Sequence, residues 1–246
     1  MCGRVIQKSR PDLLGLHIVD GLEDPRIKSG NGNRWSNVPP RYNGAPSQEL
    51  WVIRRHPTTG ERSLDLLRWG LIPHFCVTKP KPPPINAPAE SLTKNELFRD
   101  AYRHRRCIMP IDGFFEWRAV KGEKIKQPYA IAMKNGAPFG LAGLWENWKD
   151  PATGEWLRTF CIVTTRANSL VRQIHSRMPL ILKAADYGRW LSDEDDPRDL
   201  LQPHPSEPMT MWPVSTRVNS PKNDDPSLIE PLTEADSSWP RDGNSA

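Results

Sequence analysis

The chain has 246 residues, 37% hydrophobic and 26% charged, with a formal net charge of +5. This composition fits a soluble globular protein with a full core; no apolar run approaches the ~20 residues of a membrane span and no secretory leader opens the chain. The mild basic excess is compatible with a polyanionic partner without specifying one, and 26 prolines argue against long uninterrupted helices.

The chain opens Met1-Cys2-Gly3-Arg4. An initiator methionine ahead of a small residue is commonly trimmed, and trimming here would leave an amine and an exposed thiol on one residue. The amine titrates near pH ~8 and the thiol near ~8.5, so both are partly deprotonated at neutral pH. Together they can take an aldehyde first as an imine and then as a five-membered thiazolidine ring. By itself, Cys2 is weak evidence for this chemistry and also reads as an incidental small residue in a frayed terminus.

A short helix is expected over residues 11–19, then an irregular Gly, Asn and Pro-rich stretch over 24–48 that contains Arg41-Tyr42-Asn43-Gly44-Ala45-Pro46. Strand-like segments at 50–53 and 64–69 flank Pro57-Thr58-Thr59-Gly60, a hairpin pattern. Proline richness makes 78–90 an extended connection, ending in Ile85-Asn86-Ala87-Pro88-Ala89-Glu90. The Asn86 amide can orient an amine or a carbonyl; after Pro-Pro-Pro-Ile it also reads as a turn former. A helix follows over 94–104, with Thr93 and Glu96 at capping-box spacing. The run Arg103-His104-Arg105-Arg106 at its end reads as a solvated face complementing the helix dipole.

Strands at 114–119 and 128–133 flank Lys121-Gly122-Glu123-Lys124, and strands at 139–145 and 156–164 flank Asp150-Pro151-Ala152-Thr153-Gly154. Three hairpins predict an antiparallel sheet rather than a parallel βαβ array. Alternation sets Phe115 and Trp117 on one strand face and Phe114 and Glu116 on the other. A carboxylate sharing a face with Phe114 tends to a raised pKa, which suits a general acid or base. The other reading is a strand glutamate paired with an arginine.

Short helices are expected at 169–174 and 184–191. His175, between the first of them and an apolar strand, either moves protons at neutral pH or is a surface or capping histidine. Trp35, Trp69, Phe75 and Tyr42 are candidates for stacking bases. Cys2, Cys76, Cys107 and Cys161 have no zinc or redox spacing, and Cys107 and Cys161 read as inert core residues. A reducing, cytoplasmic setting without disulfides follows. The expected fold is α+β: a single compact domain over 1–232 with a curled, mostly antiparallel β-barrel-like core and short flanking helices. Residues 233–246 read as a disordered tail.

Several of these segments occur together in one order: Met1-Cys2-Gly3-Arg4, Tyr42-Asn43-Gly44-Ala45-Pro46, Trp69-Gly70-Leu71-Ile72-Pro73, Ile85-Asn86-Ala87, Phe115-Glu116-Trp117, Ile162-Val163-Thr164, His175-Ser176-Arg177-Met178-Pro179 and Pro213-Val214-Ser215. In this the chain resembles the SOS response-associated peptidase (SRAP) family. The resemblance implies a barrel-like core and a basic groove. It also implies a protein that senses abasic sites in single-stranded DNA and shields them as a thiazolidine crosslink through Cys2 after Met1 is removed. The implied catalytic positions are Cys2, Asn86, Glu116 and His175, and the implied DNA contacts are Arg4, Asn43, Thr164 and Arg177. It implies no metal or organic cofactor, no membrane, a monomer, association with the nucleoid when DNA is bound, and a weak lyase route from the imine.

Three positions depart from the family pattern. Pro88 stands where an arginine is common, Ser176 where an aspartate is, and Trp212 where a histidine is. The catalytic set is complete, so the departures bear on DNA affinity; one lost phosphate contact flattens the salt dependence by roughly one counterion. Two readings from other classes remain open. One is a peptidase or amidase with Cys2 as nucleophile, served by His175 and Asn86. The other is a noncatalytic single-strand binder.

Overall fold

A computed structural model describes residues 2–9, 14–15, 39–56, 58–122 and 124–232. The helix expected over 11–19 (all but residues 14 and 15), Trp35 and the tail at 233–246 lie outside the described residues.

In chain order the strands begin with β1 (Val5–Gln7) and β2 (Arg41–Gly44). The first expected hairpin is β3 (Glu49–Arg55) and β4 (Arg62–Trp69). β5 (Asn86–Pro88) and helix α1 (Glu96–His104) follow, then β6 (Arg106–Ile111). The second hairpin is β7 (Gly113–Arg118) with β8 (Gln127–Met133), and the third is β9 (Phe139–Lys149) with β10 (Trp156–Arg166). β11 (Arg177–Pro179), the short helix α2 (Tyr187–Trp190) and β12 (Met209–Pro213) complete the set.

Pairing closes five strands into a ring, β10-β4-β3-β6-β9 and back to β10. All contacts in the ring are antiparallel except β10 with β4, which is parallel through Thr159↔Arg68 and Phe160↔Trp69. Where β4 ends, β5 takes over the same edge of β10, again in parallel. Neither parallel contact is visible to hairpin reasoning, which finds only strands adjacent in sequence. Closure needs close approach at Gly143, where an added Cβ would stand 2.9 Å from Cys107 Sγ and 3.0 Å from the Cys161 carbonyl oxygen. A second sheet, β12-β8-β7-β1-β2, stacks beside the ring.

The two sheets share one core. Val5, Phe114 and Ile131 of the second sheet pack in one buried cluster with Val52, Trp69, Phe160 and Ile162 of the ring, and Cys2 belongs to that cluster. Alternate residues of β10, Cys161 and Val163, face the other way, into a cluster that α1 and α2 cover with Phe98, Tyr102 and Trp190. Each large side chain so buried stabilises the fold by about 1.5–3 kcal/mol.

Three local expectations are corrected. Helix α1 is capped by Asn95, whose side chain accepts from the Leu97 amide at 3.0 Å, so Thr93 is not its cap. Arg106 is not on a solvated face. It is 4% exposed and donates to the carbonyls of Tyr102, Trp190, Ser192 and Glu194. β2 lies inside the stretch expected to be irregular; Asp224 Oδ1 accepts from its Tyr42 and Asn43 amides at 2.6 and 3.0 Å. Among the described residues no helix is long and apolar enough to cross a membrane.

Candidate functional site

Cys2 stands just before β1, and its place follows from strand pairing. β1 pairs with β7 through Val5↔Phe114, and the Phe115 amide donates to the Arg4 carbonyl at 3.0 Å. The ladder draws the terminus under the sheet, so Cys2 is fully buried. This corrects both the frayed terminus and the exposed thiol of the sequence reading. Burial pushes the Cys2 thiol up, and the negative charge of Glu116 adds to the effect.

Asn86 and Glu116 converge on this residue from different sheets. Asn86 Nδ2 donates to the Cys2 carbonyl oxygen at 2.9 Å. The Asn86 side chain is itself buried, and among the described residues its Oδ1 has no hydrogen-bond partner. Trp69 sets the segment that carries it: the indole N–H donates to the Ile85 carbonyl at 2.9 Å. Trp69 is therefore a buried positioning residue, stacked on Phe160, and not a platform for a base. Glu116 is 4% exposed. The alternation read from the sequence holds, since Phe114 lies in the Cys2 cluster while Phe115 and Trp117 belong to a separate cluster on the opposite face of β7.

His175 reaches the site through a short 3-10 turn, Val171–Gln173. Its amide donates to the Val171 carbonyl at 2.9 Å, and Val171 lies in the Cys2 cluster. The ring Nδ1 stands 3.0 Å from the Arg177 amide nitrogen and 3.1 Å from the Arg177 carbonyl oxygen. The Arg177 amide donates to Nδ1, which fixes the orientation of the half-buried ring. Val171 thus links His175 to the cluster that holds Cys2.

The four residues implied as DNA contacts fall into two pairs. Arg4 donates to Asn43 Oδ1 at 2.9 Å and to the Asn219 carbonyl at 2.9 Å, and lies over the Trp117 ring. Asn43 is buried, with Nδ2 donating to the carbonyls of Val218, Ser220 and Asn223. Arg177 donates through Nη2 to the Thr164 carbonyl and hydroxyl at 2.7 and 3.3 Å. Thr164 is buried between Pro88 of β5 and Pro179 of β11. In each pair an arginine is held by a buried polar residue. Sequence reasoning missed Glu90, whose carboxylate accepts from Arg177 Nη1 at 2.7 Å; it stood in a motif already singled out. Ser176 is exposed, and Trp212 donates to the Ile229 carbonyl.

Among the described residues one trio has metal-ligand spacing, His74, Asp100 and Glu146. Arg105 already bridges the two carboxylates, so a guanidinium fills the place of a cation.

Comparison with known proteins points to one family. The model of the family described as SOS response associated peptidase (SRAP) matches residues 1–221. The abasic site processing protein YoqW of Bacillus subtilis is 41% identical over 196 residues, covering 78% of this chain and 86% of that protein. The abasic site processing protein YedK of Escherichia coli is 30% identical over 239 residues, covering 94% and 100%. In three dimensions the chain is similar to a crystal structure of a Bacteroides thetaiotaomicron protein, with TM-score 0.77 over 94% of this chain and all of that one, at 24% identity.

Proposed function

The chain belongs to the SOS response associated peptidase (SRAP) family, and from that membership we propose that it captures abasic sites in single-stranded DNA as a covalent crosslink to Cys2 once Met1 is removed. The observation that carries the reading is the convergence of Asn86 and Glu116, from separate sheets, on the second residue of the chain. The names of its relatives, abasic site processing proteins, support abasic sites as the target.

The reaction runs amine first. The Cys2 nitrogen attacks the C1′ aldehyde of the ring-opened sugar. Glu116 takes the proton released from nitrogen and returns it to the departing hydroxyl, so that water leaves and an imine forms. Asn86 holds the Cys2 backbone through Nδ2 and offers Oδ1 to the new N–H. His175 exchanges a proton with the ring oxygen as the sugar opens. The thiol then adds across the C=N bond, its proton passing to nitrogen, and a thiazolidine closes with the loss of one water overall. Because both nucleophiles sit on one residue, the second attack is intramolecular, and good alignment can lower such a barrier by ~7–11 kcal/mol. No metal or organic cofactor enters the scheme. Elimination from the imine gives weak lyase activity as a side reaction.

Burial and Glu116 oppose the Cys2 thiolate, so the amine attacks first and the thiol adds after the imine has formed. Arg4 and Arg177 contact the phosphates; Asn43 and Thr164 act through the arginines they hold.

Intact mass spectrometry with an abasic single-stranded oligonucleotide tests the reading. The expected product is the chain without Met1 plus the oligonucleotide, less one water. Cys2→Ser should yield only an imine trapped by borohydride. Retention of Met1, or a stable adduct from Cys2→Ala, overturns the scheme.

A further inference from the structure

Arg166 and Arg177 are direct cross-strand partners in the antiparallel β10–β11 pair. Side chains directly opposite on one face lie close enough to interact, and like charges there repel. Arg166 is exposed at the end of β10. The arrangement is tolerated because an anion sits against it. The Glu90 carboxylate accepts from Arg177 Nη1 at 2.7 Å. Glu90 is held below its usual value by that hydrogen bond first, with the charge of Arg166 adding to it.

Two kinds of partner hold Arg177, and they differ in permanence. Nη2 is anchored on buried Thr164. Nη1 meets Glu90, a side chain 52% exposed. Water can replace a half-exposed carboxylate at little cost, whereas the Thr164 contacts are enclosed. A phosphate presents the same forked acceptor oxygens to a guanidinium as a carboxylate does.

We propose that Arg166 and Arg177 form a phosphodiester-binding pair whose anion site Glu90 occupies in the free protein and yields to a backbone phosphate of the bound strand. Glu90 is then an internal competitor with DNA, and Arg166 is a binding residue. The identity of the anion as a DNA phosphate rests on the proposed function.

Binding of an undamaged single-stranded oligonucleotide, titrated at several salt concentrations, tests the pair. Glu90→Gln removes the competing charge and should tighten binding roughly threefold at moderate salt. That gain should vanish in an Arg177→Ala background. Arg166→Ala should flatten the slope of log affinity against log salt by about 0.7, the increment for one phosphate on a single strand, and Arg166→Lys should keep the slope. Unchanged or weaker binding by Glu90→Gln, a gain that survives Arg177→Ala, or an unchanged slope in Arg166→Ala overturns the proposal. Adduct yield on an abasic strand is read in parallel. Normal adducts without these shifts refute the pair alone; these shifts without an adduct refute the crosslinking reading alone.

Discussion

Asn86 donates its side-chain N–H to the backbone carbonyl of Cys2, a 2.9 Å bond that joins residues 84 positions apart. It fixes the backbone of Cys2 from β5, which pairs with β10 of the ring, while Glu116 approaches from the neighbouring sheet. Asn86→Ala should therefore affect chemistry more than folding. Loss of the bond should slow adduct formation by roughly 10²-fold, the cost of a small misplacement of reacting groups. Single-turnover gel assays would read the rate, and a rate within a factor of two of wild type would contradict the role.

Alkaline pH should destabilise the fold. The buried thiols of Cys2, Cys107 and Cys161 are all pushed up by burial. Thiols of the unfolded chain titrate near ~8.5. Below that pH the contribution of the buried thiols is complete. Above it the unfolded chain releases protons that the folded chain retains, so stability falls by ~1.4 kcal/mol per pH unit for each thiol. Urea midpoints measured between pH ~7 and ~10 should drop beyond ~8.5, and Cys161→Ala should make the decline shallower. A flat profile would show that these thiols ionise freely in the fold.

Asn43→Ala should lower stability by about 2–3 kcal/mol. It deletes three donations to the 218–223 segment and the acceptor that holds Arg4. Denaturant unfolding measures the loss. A variant with wild-type stability and weakened DNA binding would instead place Asn43 directly against the strand.

Arg106→Lys should cost about 3 kcal/mol despite keeping the charge. Five carbonyls converge on a planar fork, and a lysine ammonium cannot reach them all. The stranded acceptors would remain buried. Calorimetric unfolding of the variant checks this, and an unchanged midpoint would mean that water replaces the fork.

What the sequence discloses depends on the range of the interaction. The three hairpins and the Phe114/Glu116 face are local, because a turn and a period of two define them. The ring closure is not: β4 meets β10 in parallel some ninety positions later, and no hairpin signal marks it. Cys2 was singled out for its chemistry, yet its burial comes from pairing between β1 and β7, far apart in the chain. In the sequence Arg106 stands among basic neighbours, whereas the carbonyls that bury it lie mostly near residue 190. At the candidate site, motifs named the residues, and tertiary contacts such as Glu90 with Arg177 decided what each side chain holds.

Asp224 has an effect beyond the strand it touches. The ring of five strands closes on itself, but among the described residues the sheet that carries Glu116 ends at β12 and β2. Outer strands offer open amides to neighbouring molecules and so invite polymerisation. By accepting from two successive amides of β2, one carboxylate denies an incoming chain its first footholds.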